Sequence, residues 1–191
     1  IDCNELSIEQ IQSFIEDYAR SAYHFMRAGG DHMVFHAAHG QLPVIFFNKA
    51  FNKRTDEYGP QNMENRTRFA NEALTAIRKE VGNNISLTLR ISCDEMFPGS
   101  PPIEEIIEFI RILQDRLDLV QISRGHLAVH ALLPYTFPTT YNEKCISLEK
   151  AMQIKAAIDI PVSVVGAMTF EAADKAIGEG KLDMVAFARQ L

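Results

Sequence analysis

The chain has 191 residues, of which 47% are hydrophobic and 23% charged, as is typical of one folded domain and not of a disordered chain. Its 25 acidic residues exceed its 19 basic ones, and no basic stripe indicates nucleic-acid binding. No apolar run approaches a membrane span, no secretion signal opens the chain, and the three cysteines are odd in number and widely spaced. We therefore expect a cytoplasmic protein that binds neither nucleic acid nor membrane and has no disulfide framework.

Helix and strand signals alternate from the start of the chain. A capping box at Ser7–Gln10 begins an amphipathic helix that ends near position 29, and a short strand follows over Asp31–His36. A long polar loop then separates this strand from a helix over Met63–Val81 and a strand over Ile85–Ile91. The pattern predicts that each helix crosses over between neighbouring strands.

The same alternation continues to the end of the sequence. Pro101 and Pro102 open a helix that reaches Leu113, because proline is favoured in a first helical turn, and Leu119–Ile122 is the next strand. The remaining predicted elements are a loop over Ser123–Ile146, a helix from Ser147 to Ile158, a strand over Pro161–Val165, a helix from Thr169 to about Gly178 and a strand over Asp183–Phe187.

Five helix–strand units in strict alternation predict an α/β fold with a parallel sheet. An acidic residue stands directly before three of the strands, as Asp31, Asp118 and Asp183, which is typical of the repeated units of a (β/α) barrel. A closed barrel needs eight strands and about 250 residues. Two architectures remain: an open, doubly wound sheet, or a partial (β/α)8 TIM barrel made of about its last five βα units. We expect the second, with residues 1–191 forming a single incomplete domain, because the chain begins and ends abruptly.

Two histidines directly after the first predicted strand are the first candidates for chemistry. His36 and His39 stand in the sequence His-Ala-Ala-His-Gly, and functional groups of parallel α/β proteins lie at such strand ends. Their rings can converge on one substrate oxygen and donate hydrogen bonds to it. The alternatives are two structural histidines or a metal site. We predict no metal, because the third candidate ligand, His32, lies about 13 Å away at the other end of the strand.

The loop after these histidines is rich in paired acids and bases, over Asn52–Gly59 and again over Glu64–Phe69, which predicts a loop held rigid by ion pairs. Together with the histidine pair, these stretches resemble the old yellow enzyme family of flavin-dependent ene-reductases. That family carries a His-x-x-His or His-x-x-Asn pair, then Asn-x-Arg-Thr-Asp-x-Tyr-Gly and Glu-Asn-Arg-x-Arg-Phe. The His-Ala-Ala-His-Gly form is most similar to the branch of 2-enoate and 2,4-dienoyl-CoA reductases.

The resemblance implies a function and a cofactor. It implies FMN as the cofactor, NAD(P)H as the reductant, and hydride transfer through the flavin to the activated C=C bond of an unsaturated carbonyl substrate. His36 and His39 would bind the carbonyl oxygen as the catalytic pair. The expected cofactor-binding residues are Arg90 beside the flavin ring and, at the phosphate, Gly166, Ala167, Ala188 and Arg189. The [4Fe-4S] cluster and FAD of some members are expected only in parts of a parent chain outside this sequence.

Three positions depart from the family pattern. Gln41 stands where many members have a tyrosine that protonates the substrate, so water, Tyr58 or a group outside this chain would have to supply the proton. Ala188 stands where glycine is usual, and the stretch after Tyr58 is one residue longer. Two other functions therefore remain open: a flavin-dependent amine or alcohol dehydrogenase on the same scaffold, and a non-catalytic barrel fragment.

An incomplete barrel also has consequences for partners. Its sheet has an unpaired edge on each side, so we expect either a homo-oligomer or association with the remainder of the barrel. Apolar strand positions are expected to lack some of their barrel partners, namely Val34, Leu87, Val120 and Val164. The isolated chain should therefore be marginally stable and should hold FMN weakly.

Overall fold

A computed structural model describes residues 5–127, 130–139 and 141–188. The helices are α1 Ile8–Arg27, α2 Leu42–Phe47, α3 Met63–Val81, α4 Ile103–Leu113, α5 Leu133–Thr136, α6 Leu148–Lys155 and α7 Phe170–Gly178. The strands are β1 His32–Ala37, β2 Ser86–Ser92, β3 Leu119–Ser123, β4 Val162–Val165 and β5 Met184–Ala186. Two short 3₁₀ turns lie at Gln114–Arg116 and His130–Leu132. The predicted alternation of helices and strands is confirmed.

The structure differs from the prediction in the two long loops and at one helix end. Helices α2 and α5 lie inside segments predicted as loops; both have a proline in the first turn, and both are too short to show helical periodicity. Helix α6 ends at Lys155 and not at Ile158, because the amides of Ala156 and Ala157 turn back to carbonyls three or four residues earlier. Ser147 stands at the N-cap position, but its side chain forms no capping hydrogen bond.

The order of the strands decides between the two predicted architectures. All four strand pairs are parallel, and the strands follow one another in the order β1-β2-β3-β4-β5. A doubly wound sheet reverses its strand order at a switch point, and this sheet does not. Right-handed crossovers between sequential neighbours place the crossover helices α3, α4, α6 and α7 on one face of the sheet. The sheet is therefore an arc of a (β/α)8 barrel wall.

The two faces of the arc have opposite character. Alternate strand residues that point toward the helices are almost completely buried and form the core with the apolar sides of the helices: Phe35, Leu87, Leu89, Ile91, Val120, Ile122, Val162 and Val164. The expectation that Leu87, Val120 and Val164 lack partners is wrong, because they face this helix layer. The expectation holds for Val34, because its side chain lies on the opposite face of the sheet and is 44% exposed.

The acids that precede two of the strands connect neighbouring βα units. The carboxylate of Asp118, just before β3, accepts a hydrogen bond from the amide of Leu87 in β2 at 2.7 Å. The carboxylate of Asp183, just before β5, accepts one from the amide of Val162 in β4 at 2.8 Å. The repeated acid of the sequence therefore binds the start of the preceding strand.

The charged loop between α2 and α3 is tied down by its own polar groups, as predicted. Asn52 is buried and donates to the carbonyls of Phe46 and Tyr58, both at 2.7 Å. Arg54 forms a two-pronged contact with Asp56 at 3.0 and 2.5 Å. These contacts hold the loop in one conformation, and Arg54 also donates to the carbonyl of Leu6 at 2.7 Å. Of the helices in the described part of the chain, none is long and apolar enough to cross a membrane.

Candidate functional site

A row of polar side chains crosses the inner face of the arc near the carboxyl ends of the strands. The strand register places His36 beside Arg90, Arg90 beside Gln121, and Gln121 beside Ser163. The first three are half-buried and Ser163 is buried, in contrast to the apolar residues that alternate with them. Parallel α/β proteins bind ligands at this end of the strands, so the row marks the candidate site.

A tight turn brings His39 back over the end of β1. Its backbone has the left-handed φ of 59°, and Gly40 follows with a φ of 81°. The amide of His39 donates to Ser92 Oγ at 3.2 Å, and its carbonyl accepts from the amide of Leu127 at 3.3 Å. The rings of His36 and His39 consequently lie 5.2 Å apart, centroid to centroid. The structure thus brings the two predicted histidines together.

Both rings are neutral at pH 7. Burial, and then the positive charge of Arg90, lower the pKa of His36 below its ordinary value. Burial is also the main cause at His39, whose pKa is lowered to about 4 with smaller contributions from Arg90, His36 and His126. A neutral imidazole has one N–H donor and one bare nitrogen. The pair can therefore hold and polarise an oxygen atom, but it does not carry an extra proton.

A cleft of about 750 Å³ lies beside this pair, on the inner face of β2 to β5. Four of the five predicted cofactor-binding residues line it: Arg90, Gly166, Ala167 and Ala188. Gly166 and Ala167 have φ values of 132° and 47°, so the chain leaves β4 through a left-handed turn. Arg189 lies outside the described residues. The cleft has the size of a small-molecule or cofactor site.

The polar groups of the cleft fit an anionic cofactor such as FMN. Arg90 Nε is buried and has no hydrogen-bond partner among the described residues. Burial lowers the pKa of Arg90, and no carboxylate in the described part of the chain forms an ion pair with it or with Lys144, which also lines the cleft. A buried guanidinium with a vacant N–H needs an acceptor. A flavin carbonyl at Arg90 and a phosphate on the left-handed turn would satisfy these requirements.

Neither the residue at the position of the usual tyrosine, Gln41, nor the suggested substitute, Tyr58, lines the cleft. Gln41 is exposed at the start of α2 and is not an acid. Tyr58 is buried between α1 and α3, where its hydroxyl accepts from Gln12 at 2.6 Å and donates to Glu72 at 2.7 Å. Burial and then the bond to Glu72 raise the pKa of Tyr58 well above its ordinary value. The suggestion that Tyr58 replaces the tyrosine of other members is therefore wrong.

Comparison with known proteins agrees with this geometry. The NADH:flavin oxidoreductase / NADH oxidase family matches residues 1–191. The chain belongs to this family. The resemblance to old yellow enzymes that the histidine pair and the Arg-Thr-Asp-Glu-Tyr-Gly stretch indicated is thereby confirmed.

Relatives in this family cover several activities. A cinnamate reductase of Clostridium sporogenes is 31% identical over 205 residues, which is 100% of this chain and 31% of that protein. The solved complex of a 2-naphthoyl-CoA reductase has a TM-score of 0.86 at 31% identity over 96% of this chain and 28% of that one. Histamine dehydrogenase from Rhizobium sp. 4-9 has a TM-score of 0.86 at 27% identity over 98% and 27%. The chain thus spans less than a third of the length of these relatives.

Besides Ser123, sequence reasoning missed a buried pair behind the turn at His39. Glu95 Oε1 lies 3.8 Å from His126 Nε2, and both residues are 2% exposed. The His126 ring stacks on Phe51 at 5.2 Å, and a Cβ on Gly40 would lie 2.3 Å from its Nε2. This close approach, together with its positive φ, explains why position 40 is glycine. The acid pair Asp94-Glu95, two residues after the end of β2, was the one signal available in the sequence.

Replacing Glu95 with glutamine should make the fold less sensitive to high pH. Burial raises the pKa of Glu95 from 4.5 to about 7. The hydrogen bond from Asn48 opposes this shift, and the nearby charge of Asp94 adds to it. A group whose pKa is raised on folding stabilises the fold below its unfolded value, and this stability is lost as the pH rises toward 7. We expect the E95Q variant to gain up to about 3 kcal/mol relative to the parent between pH 4.5 and 8.

Urea unfolding at pH 4.5, 6 and 8 measures this difference. The matched control is Glu149→Gln, since Glu149 is exposed at the start of α6. A difference between E95Q and the parent that stays constant with pH would show that Glu95 is ionised throughout the range.

Proposed function

We propose that this chain is part of an FMN-dependent ene-reductase that reduces the activated C=C bond of an unsaturated carbonyl compound, an enone or enoate, with NAD(P)H as the reductant. The observation that supports it is the neutral pair of His36 and His39, which adjoins a cleft through Arg90, the register neighbour of His36, and Ser123, the partner of the His39 ring. Family membership supports the same chemistry. On this proposal, residues 1–191 form an incomplete FMN-binding TIM-barrel domain.

The cofactor would occupy the cleft along β2 to β5. When bound there, FMN would supply the transfer of hydride from NAD(P)H to the substrate. Arg90 would place a fixed positive charge against the polar edge of the ring, where negative charge is stabilised on reduction. The turn at Gly166 and Ala167, with Ala188 and Arg189 after β5, would hold the phosphate, because barrels commonly bind phosphate after their last two strands.

The histidines would hold the carbonyl oxygen of the substrate. Each neutral ring donates one N–H, and a pair of donors aimed at one oxygen stabilises the negative charge that develops on it, as an oxyanion hole does. Because their pKa values are lowered, neither ring protonates the α-carbon at neutral pH. With Gln41 in place of a tyrosine, we propose that water delivers this proton.

Introducing a tyrosine at position 41 tests the route of the proton. Gln41→Tyr should accelerate reoxidation of the reduced enzyme by an enone about tenfold or more, because a positioned general acid contributes about 10²–10⁴ in rate when it is well aligned. Reduction by NAD(P)H should be unchanged. Stopped-flow absorbance measures the two half-reactions separately, and Gln41→Phe is the control for added aromatic bulk. Equal rates for the Tyr and Phe variants would mean that the proton does not pass through position 41.

Oxidation of an amine on the same scaffold is the second candidate, because histamine dehydrogenase is among the similar structures. An amine substrate is a cation or must lose a proton to bind. The described residues that line the cleft include Arg90, Arg124 and Lys144 and no carboxylate, and only Arg124 has an acidic partner, Asp94. No described residue of the cleft could therefore pair with an ammonium group, and nothing in the described part of the site favours the amine.

A complete barrel would also require partners for the two edge strands. The β1 and β5 edges carry the exposed side chains of Val34 and Met184 on the inner face, with 44% and 51% exposure. We propose that the remainder of the barrel, or further copies of the chain, covers these edges.

Flavin spectroscopy separates the candidates. The purified protein is mixed with FMN, desalted, and examined for flavin absorbance. The flavin-loaded protein is then mixed anaerobically with NADH, NADPH or histamine, and protein bleached by a nicotinamide is offered cinnamate or an enone. Bleaching by NAD(P)H and reoxidation by cinnamate or the enone supports the ene-reductase. Bleaching by histamine alone supports the amine dehydrogenase. Protein that stays colourless at saturating FMN and elutes as an oligomer would identify a non-catalytic fragment.

A further inference from the structure

We propose that Ser123 is a positioning residue that holds His39 in the tautomer with its proton on Nδ1, and that Arg90 determines the direction of this hydrogen bond. The consequence for catalysis rests on the proposed function. The tautomer itself rests only on the arrangement of these three side chains.

Ser123 is the last residue of β3 and is 3% exposed. Its Oγ lies 2.8 Å from His39 Nε2 and 3.4 Å from Arg90 Nη2. Position 123 lies beside Ser92 in the strand register, and Ser92 itself accepts the amide of His39. The ends of β2 and β3 thus clamp His39 at both its backbone and its ring.

Counting donors and acceptors assigns the proton. A guanidinium has N–H donors and no acceptor, so Arg90 can only donate to the Ser123 oxygen. The single hydroxyl proton of Ser123 then needs an acceptor, and His39 Nε2 is its hydrogen-bond partner within the described residues. A bare Nε2 means that the proton of the neutral ring lies on Nδ1, because the bond made by one ring nitrogen determines the state of the other.

The opposite tautomer would leave the hydroxyl proton of Ser123 without an acceptor. If His39 carried its proton on Nε2, both the ring and Arg90 would donate to the same oxygen, and the Ser123 proton would point at no acceptor in the described part of the chain. An unsatisfied buried hydroxyl proton is unfavourable. Ring burial lowers the pKa of His39, so the ring carries a single proton at neutral pH and the choice is between the two neutral tautomers.

This arrangement predicts which atom of His39 contacts the substrate. With Nε2 engaged by Ser123, the free donor of the ring is Nδ1–H, and this group would bind the carbonyl oxygen. Ser123 also connects the two halves of the site, because one hydroxyl contacts both the predicted flavin-binding Arg90 and the predicted substrate-binding His39. A loss of Ser123 would therefore change His39 without removing any group that contacts the substrate.

Nuclear magnetic resonance of the protein labelled with ¹⁵N-histidine tests the assignment at pH 7. Two-bond ¹⁵N–¹H correlations distinguish the two neutral tautomers, and the signals of His39 are identified by their loss in His39→Asn. We expect Nδ1–H in the parent. In Ser123→Ala the ratio of Nδ1–H to Nε2–H should fall about fivefold, as for the loss of one hydrogen bond. Ser123→Thr, which keeps the hydroxyl, should restore the parental ratio.

The matched control is Ser163→Ala, which removes a buried hydroxyl from the same face of the sheet. Ser163 lies on β4, two strands from Arg90, and forms no hydrogen bond with His39 or Arg90 among the described residues. Its loss should leave the tautomer of His39 unchanged. Nε2–H in the parent, or a ratio that S123A does not alter, would overturn the proposal. Because these spectra need no flavin and no turnover, they stand or fall separately from the ene-reductase function.

Discussion

In the complete parent enzyme that contains this chain, replacing both His36 and His39 with alanine should slow reoxidation of the reduced flavin by an enone at least about 10³-fold, while leaving FMN bound. Removal of one donor from an oxyanion site costs about 10²–10³ in rate, and the double variant removes both. The cofactor should remain, since the proposed flavin contacts are Arg90 and the turns after β4 and β5. Stopped-flow absorbance with excess enone measures the rate, and the flavin-to-protein absorbance ratio measures retention.

Two controls make this result specific. His24→Ala removes an exposed histidine near the end of α1 and should change neither quantity. Reduction by NAD(P)H should also continue in the double variant. An unchanged kcat/KM for the enone would show that the histidines are structural, and a loss of flavin together with activity would place them in the cofactor site instead.

Replacing Arg66 with methionine should lower the free energy of unfolding by about 3 kcal/mol. Arg66 on α3 is 2% exposed; it pairs with Glu105, donates to the Phe47 carbonyl at 2.7 Å, and its guanidinium carbon lies 4.4 Å from the centre of the Phe47 ring. Breaking a buried ion pair costs about 3–5 kcal/mol. We expect the lower end, because Lys49 still pairs with Glu105 at 2.7 Å.

Arg68→Met is the matched control from the same stretch of sequence. Arg68 is 29% exposed and pairs with Glu64 and Glu72 at 3.1 and 3.9 Å, and exposed pairs of this kind contribute about 1 kcal/mol or less. Urea unfolding measures the free energy of unfolding of the two variants, and the comparison is valid when their m-values are equal. If both lose the same stability, the burial of Arg66 has no energetic role and the Glu-Asn-Arg-x-Arg-Phe stretch serves another purpose.

Most helices and strands of this fold can be predicted from the sequence, because each one is determined by residues close together in the chain. The capping box at Ser7, the alternation of apolar and polar residues over Leu87–Ile91 and the prolines before α4 each determine structure within a few residues. The choice between an open sheet and a barrel arc could not be made from such local signals. It depends on which strands pair, and pairing joins residues dozens of positions apart, such as His36 with Arg90.

The candidate site divides in the same way. The closeness of His36 and His39 could be predicted because they stand at one strand end at a short spacing, and the positions of Arg90, Gly166 and Ala188 because they stand near or just after the ends of other strands. Ser123 and the Glu95–His126 pair could not, because their roles depend on β2 and β3 ending side by side. A serine at a strand end is common in any sequence. Only its 2.8 Å contact with His39 distinguishes this one.

The carboxylates of Asp118 and Asp183 have a consequence for how the sheet loses its order. Each one joins a strand to the unit directly after it, and basic residues of the helices, Arg78 and Lys155, complete the contacts. Coupling of this nearest-neighbour kind makes stability close to a sum over units and their shared interfaces, as in linear repeat proteins. A unit lost at either edge then weakens one interface and leaves the interior ones intact. The arc should accordingly fray inward from its edges, with β2 and β3 retaining their pairing longest.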